Sequence, residues 1–208
     1  MSLAGRSARA RAPGDPLRTL RREAGACRAC PLWEGATQAV VGEGPTSAAM
    51  MLVGEQPGDQ EDRLGHPFVG PAGKVLDTAL ERAQLERSKV FITNGVKHFK
   101  HRMRGKRRIH QRPSAAEVNA CRPWLAAELE LLAPAVIVAL GATAAYSVLG
   151  RTVGIGEHRG RVLESELFAR QVVVTAHPSS ILRERDAGAR RAALAALADD
   201  LGVAAQLI

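Results

Sequence analysis

Aromatic side chains are scarce in this chain of 208 residues: four Phe, two Trp and one Tyr. The apolar mass is Ala, Leu and Val, which fits layered α/β packing better than an aromatic-rich β-sandwich. Cysteine is scarcer still. Three cysteines exclude a disulfide framework, which needs an even and denser set. Cys27 and Cys30 stand at CxxC spacing and Cys121 is far away, a pattern that suits a reducing compartment and a redox or metal role. A cytoplasmic location is therefore expected. The Arg-rich start lacks the compact apolar stretch of a secretory signal. Long apolar runs are almost absent. The exception, Leu131 to Gly150, is twenty uncharged residues and long enough to span a bilayer. It is broken by Pro134, Gly141, Thr143 and Ser147, and Ala135–Leu140 reads as a buried strand followed by a short helix, so no membrane partner is expected.

Acid is missing from one stretch in particular. Lys97 to Arg112 holds eight Lys or Arg and no Asp or Glu. The whole chain has 29 basic against 21 acidic residues, so this segment alone equals the net charge of +8. A second basic stretch opens the chain, with Arg6, Arg9, Arg11, Arg18, Arg21 and Arg22 against Asp15. A near-neutral globule with two basic appendages favours phosphate-bearing partners. Residues 1–22 read as a flexible basic tail, and 23–208 as a single domain.

The apolar pattern predicts a short helix around the CxxC at 23–34 and the start of a strand at Val40-Val41. It predicts core strands at Ala49–Val53, Lys89–Thr93, Ala135–Leu140 and Gln171–Thr175. Helices are expected at Gly73–Leu85, from the capping box Ser114-Ala115-Ala116-Glu117 to about Leu132, and at Arg185–Leu201. Strands alternating with helices argue for a parallel sheet of four strands with helices on both faces, a three-layer α/β/α sandwich. Glu55, Asp59, Asn94 and His177 all fall just beyond the C-terminal ends of these strands, the edge where open parallel sheets bind ligands.

Four motifs at that edge resemble those of the uracil-DNA glycosylase superfamily. They are Gly54-Glu55-Gln56-Pro57-Gly58, Pro67-Phe68-Val69-Gly70-Pro71-Ala72-Gly73, Thr93-Asn94-Gly95-Val96-Lys97 and His177-Pro178-Ser179. The nearest branch is the iron–sulfur type, family 4, and within it the X subgroup (UdgX). The resemblance implies that Phe68 stacks on a flipped uracil, that Asn94 pairs with its edge and that His177 lies beside its O2. It places Glu55 at the acidic position of the first motif, with Gln56 in the same substrate-binding turn. That chemistry is coherent. A base must leave the stack to be reached, an Asn matches uracil but mismatches cytosine, and donors near O2 stabilise the anion that leaves. A carboxylate such as Glu55 stabilises the cationic sugar or orients a nucleophile. Asp59 is a further catalytic candidate, with helix capping as the alternative.

The resemblance also implies a [4Fe–4S] cluster. Family 4 has four Cys ligands, whereas His98 follows Val96-Lys97 here, so the expected ligands are Cys27, Cys30, His98 and Cys121. A Cys₃His zinc site fits the ligand types equally well, and His101 is an alternative to His98. Lys106-Arg107-Arg108-Ile109-His110 resembles the loop that marks the X subgroup. There the His attacks C1′ of the deoxyribose after uracil leaves, producing a covalent protein–DNA adduct. The implied arrangement has Lys106, Arg107 and Arg108 holding the DNA backbone, with neighbouring cations keeping His110 neutral and nucleophilic. The expected partner is uracil-containing, single-stranded DNA, bound by a monomer. Two other functions stay open at this point: an ordinary glycosylase that turns over, with His110 contacting only phosphate, and a non-catalytic nucleic-acid-binding module with a structural zinc.

Overall fold

The structure, a computed structural model, describes residues 16–208. Its elements are α1 (Pro16–Gly25), α2 (Leu32–Gly35), β1 (Met50–Gly54), α3 (Asp59–Leu64), α4 (Pro71–Arg82), β2 (Phe91–Asn94), β3 (His101–Arg104), β4 (Arg107–His110) and α5 (Ala115–Leu132). They continue through β5 (Val136–Leu140), α6 (Ala142–Leu149), α7 (Ile155–His158), β6 (Val162–Ser165), β7 (Arg170–Thr175), α8 (Pro178–Arg183) and α9 (Ala187–Ala205).

The main sheet has strand order β2-β1-β5-β7-β6. Its first four strands are parallel, and β6 runs antiparallel to β7. The expected sheet of four strands thus gains a fifth. Arg159 to Arg170 turns back on β7 as a hairpin, and a short strand half exposed on one face carries too little apolar signal to be seen in sequence. The parallel strands are buried throughout, as their continuous apolar runs require. Met51, Val53, Ile137 and Val174 pack against α1, α5 and α6 on one face. Met50, Leu52, Val138 and Val173 pack against α4, α8 and α9 on the other. The three-layer α/β/α sandwich follows directly from that alternation.

Three further expectations are corrected. Residues 16–22 are not a flexible tail, because Pro16–Gly25 is a helix whose Leu17, Leu20 and Ala24 are buried. The arginines lie on its other faces, and an amphipathic helix dense in Arg was read as a tail. Residues 1–15 lie outside the described residues. The CxxC sits in the turn between α1 and α2 rather than on a helix. Val40-Val41 is not a strand: Val40 N–H donates to the Lys97 carbonyl, and pairing is limited to a bridge between Glu43 and Ile92. The apolar stretch at 131–150 is divided among α5, β5 and α6, and among the described residues no helix is long and apolar enough to cross a membrane.

The order β2-β1-β5 reverses direction at β1, and the crevice beyond β1 and β5 is where such sheets take ligands. The register pairs Gly54 with Asn94 and Leu140 with Thr175, so the residues that follow each strand emerge side by side.

A candidate active site at the strand ends

A cleft of about 960 Å³ opens at these strand ends. Glu55, Phe68, Asn94, His110, Thr143 and His177 all line it. Glycine makes the convergence possible. A Cβ on Gly54 would meet Phe68 Cζ at 2.6 Å and would come closer still to Asn94 Oδ1, so any larger residue would push the two side chains apart.

Phe68 is buried and held at φ 53°, a left-handed conformation that an aromatic residue rarely adopts. Arg87 keeps it there. Its Nη2 donates to the carbonyls of Pro67 (3.2 Å) and Phe68 (3.3 Å), while Nη1 donates to Asp77 (2.6 Å). The Phe68 ring faces His177 with centroids 6.0 Å apart. Asn94 is 2% exposed, and its Oδ1 is a buried acceptor with no hydrogen-bond partner. Buried polar groups are almost always satisfied, so an orphan in a cleft wall points to a ligand donor.

His177 caps α8. Its Nδ1 accepts from the Ser179 N–H (3.1 Å) and lies 2.8 Å from Ser179 Oγ. Because Nδ1 is an acceptor, the neutral ring carries its proton on Nε2, where it is a donor toward the cleft. Burial pushes this imidazole down to about 4, with Glu55 opposing and His110 and Arg183 adding to the shift.

Glu55 receives two hydrogen bonds. Thr143 Oγ1 donates to Oε2 (2.6 Å), and His110 Nε2 lies 3.1 Å from Oε1. Burial pushes the carboxyl up, but these bonds, together with the charges of His110 and His177, outweigh it and hold Glu55 below the ordinary carboxylate range. The charge nearest His110 is therefore an acid rather than the expected ring of cations.

The basic segment is built differently from the expected loop. β3 and β4 form an antiparallel hairpin, with Gly105 at φ 60° in its two-residue turn. Phe99 is its foundation. This buried ring stacks on His101 at 4.9 Å, lies 6.1 Å from His110 and supports the Arg108 guanidinium at 5.4 Å.

Arg108 was expected on phosphate. Its side chain is only 13% exposed; Nε donates to Asp59 Oδ1 and Nη1 to Asp62 Oδ2, both at 2.5 Å. Asp59, expected at the chemistry, is engaged by Arg108 and by Arg63 at 3.1 Å. Gln56, expected on the substrate, lines the cleft and also clasps the hairpin. Its Oε1 accepts from Lys100 N–H (3.0 Å), and its Nε2 donates to the Lys100 (3.2 Å) and Gln111 (3.0 Å) carbonyls. Arg102, Arg104, Lys106 and Arg107 remain exposed toward the hairpin tip. Lys97 belongs to the core instead: its Nζ pairs with Glu128 at 2.7 Å, and both side chains are at most 1% exposed.

Thr143, Arg112, Phe99, Asp62 and Arg87 were missed in sequence. Thr143 had a readable signal, since it lies just after β5 at the same sheet edge as Glu55, Asn94 and His177. The others are joined to the site only by tertiary contacts.

The three cysteines are not among the residues that line the cleft. Cys30 and Cys121 belong to one apolar cluster with Leu32, Val96 and Val118. Trp124 Nε1 donates to Cys27 Sγ (3.1 Å) and Lys97 N–H to Cys121 Sγ (3.2 Å). Burial pushes the Cys121 thiol up to about 11, raises Cys30 and lowers His98. N–H donors aimed at sulfur fit thiolate ligation of a metal or cluster. Among the described residues, no three His, Cys, Asp or Glu side chains are gathered closely enough to hold one metal ion.

Residues 41–202 match the model of the uracil DNA glycosylase superfamily. The chain belongs to this superfamily. It is similar to the type-4 uracil-DNA glycosylase of Thermotoga maritima, at 41% identity over 169 residues, covering 81% of this chain and 84% of that relative. The type-4 enzyme of Pyrobaculum aerophilum is 38% identical over 164 residues, covering 76% and 80%. That of Sulfurisphaera tokodaii is 37% identical over 175 residues, covering 81% and 76%. The family match spans the sheet and every cleft residue described above, while Cys27 and Cys30 precede it.

Proposed function

We propose that this protein excises uracil from DNA and is then captured by its product. The orphan acceptor Asn94 Oδ1 carries the first half of this reading. It is buried in the wall of a cleft that the Phe68 ring and His177 also line, where a flipped uracil supplies the missing N–H. As the C1′–N1 bond breaks, its electron pair leaves with uracil, and His177 Nε2–H faces the anion that forms. The ionised Glu55 faces the cationic sugar.

The second half rests on His110, half exposed at the cleft rim with Nε2 3.1 Å from Glu55. A lone pair of the imidazole forms the bond to C1′, and the remaining ring proton is relayed by way of Glu55 to the uracil anion that left with the C1′–N1 electron pair. The products are then a neutral N-alkyl imidazole, an ionised Glu55 and neutral free uracil. Lys106 and Arg107 at the hairpin tip meet the phosphate backbone, with Arg108 holding the hairpin to the body. A single strand is the favoured substrate, because its base flips without losing a pairing partner. The protein acts as a cytoplasmic monomer.

One experiment tests both halves. Wild type, Asn94→Ala and His110→Ala are incubated with a uracil-containing oligonucleotide. Free uracil is measured, and the protein is run on a denaturing gel. Wild type is expected to give a heat-stable shifted band that His110→Ala lacks, and Asn94→Ala to lose uracil release at least 10-fold, about the cost of one lost transition-state hydrogen bond. A band that persists in His110→Ala overturns capture, and unchanged release in Asn94→Ala overturns the pocket assignment.

Cys27, Cys30, Cys121 and His98 are the ligands we assign to a [4Fe–4S] cluster, on the sulfur-directed donors and the resemblance to the iron–sulfur branch. Such a group supplies structural bracing between the α1–α2 turn and α5. Zinc without iron in the purified protein overturns it.

A further inference from the structure

We propose that Thr143 is a positioning residue for the Glu55 carboxylate and is itself oriented by Arg112. The inference rests on the reading of Glu55 as the carboxylate that faces the sugar. Thr143 is buried in the first turn of α6, directly after the β5 strand end. Arg112 Nε lies 3.0 Å from its hydroxyl, and Glu55 Oε2 lies 2.6 Å from it. A guanidinium can only donate and a carboxylate can only accept, so the direction of both bonds is forced. The hydroxyl accepts from Arg112, and its single proton goes to Glu55.

The consequence is positional. With Oε2 occupied by Thr143, Oε1 is the oxygen turned toward His110, 3.1 Å away. Arg112 follows directly on the segment that leaves the hairpin, so the hairpin's exit is coupled to the carboxylate's orientation through one hydroxyl. The charged and titratable groups around Glu55 are His110 on β4, His177 at the start of α8, and Arg112, which acts through Thr143. Removing the hydroxyl frees the carboxylate to rotate and takes away a bond that favours its ionised form.

The test compares Thr143→Val, which keeps the shape and deletes the hydroxyl, with Thr143→Ser, which restores it, and with Glu55→Gln. The readouts are uracil release across pH and the titration of the Glu55 carboxyl followed by carbon NMR. Thr143→Val is expected to slow release about 10-fold, as loss of one charged hydrogen bond does. It should also move the Glu55 titration upward, and Thr143→Ser should return both toward wild type. If Glu55→Gln releases uracil at the wild-type rate, the reading of Glu55 falls and the inference falls with it. If Glu55→Gln is inactive while Thr143→Val shows an unmoved titration, or Thr143→Ser fails to restore it, the inference alone is overturned.

Discussion

On the proposed reading, the His177 ring is the donor that faces the departing base. Its Nδ1 is engaged by Ser179, which leaves Nε2–H as the donor, and burial holds the imidazole neutral down to about pH 4. An unperturbed histidine titrates near 6.5, so the shift decides which protonation state works at neutral pH. A neutral donor placed beside a developing anion stabilises the transition state without a competing ground-state charge. The acid limb of uracil release is therefore expected near pH 4, and the measurement is a pH profile of kcat/KM. A limb near 6.5 that disappears in His177→Asn would contradict it. Stability follows the same sign. The unfolded chain takes up this proton near 6.5 and the native chain resists it until about 4, so the contribution is present above about 6.5 and is lost as pH falls through that window. Glu55, held below its ordinary value, contributes stability that is present above about 4.5 and lost on further acidification.

At the scale of elements, the hairpin is held at three places: Arg108 on Asp59 and Asp62, Phe99 beneath its rings, and Gln56 at its root. Gln56 is buried and its amide joins the backbone at both ends of the excursion. Gln56→Ala leaves the Lys100 N–H and the Gln111 carbonyl without that partner, at a local cost of about 1–3 kcal/mol. Faster amide exchange at Lys100 and through β3–β4, with the rate in β1 and β5 unchanged, is the expected outcome. Uniform exchange across hairpin and sheet would show that Gln56 supports the whole fold instead. The strands and helices that flank the site were legible because their apolar runs are long and continuous. The hairpin was not. Its strands are four residues each and rich in Arg, and its buried side depends on Phe99 and two distant aspartates. Sequence order carries no mark of such a partnership. Asn94, Phe68, His177 and Glu55 were readable from their strand-end positions and motifs. Gln56 and Asp59 line the cleft and Arg108 lies on the hairpin, but the contacts that also join the three to the hairpin and body carry no mark in the sequence.

For the whole molecule, Lys97 and Glu128 form the most consequential buried pair. Lys97 Nζ donates to Glu128, Thr93 and the Asn94 carbonyl, and Glu128 also accepts from Gly42 N–H and Thr93. This cluster ties the end of β2, the segment before β1 and α5 together beneath the cleft, so the backbone that aims Asn94 is fixed by a charge network. Lys97→Met leaves Glu128 buried without its cation, and a loss of about 3–5 kcal/mol in denaturant unfolding is expected. Adding Glu128→Gln should recover part of that loss, and a double variant as unstable as the sum of the two singles would deny the coupling. Counted in the formal charge, Lys97 adds to an apparent surface excess, yet its charge is neutralised inside the protein.

The carbonyl of Lys100 accepts from the N–H of Gln111, 2.9 Å apart, so the chain returns to its point of departure after ten residues. The hairpin is topologically a finger set on a finished body. Asn94, Phe68 and His177 are all positioned by the sheet and its helices, outside this excursion, while His110 comes entirely from within it. On the proposed reading, recognition of the base and capture of the sugar are in this sense separable. The residues proposed for the first lie on the sheet and its helices, and the one proposed for the second lies on an excursion whose two ends meet.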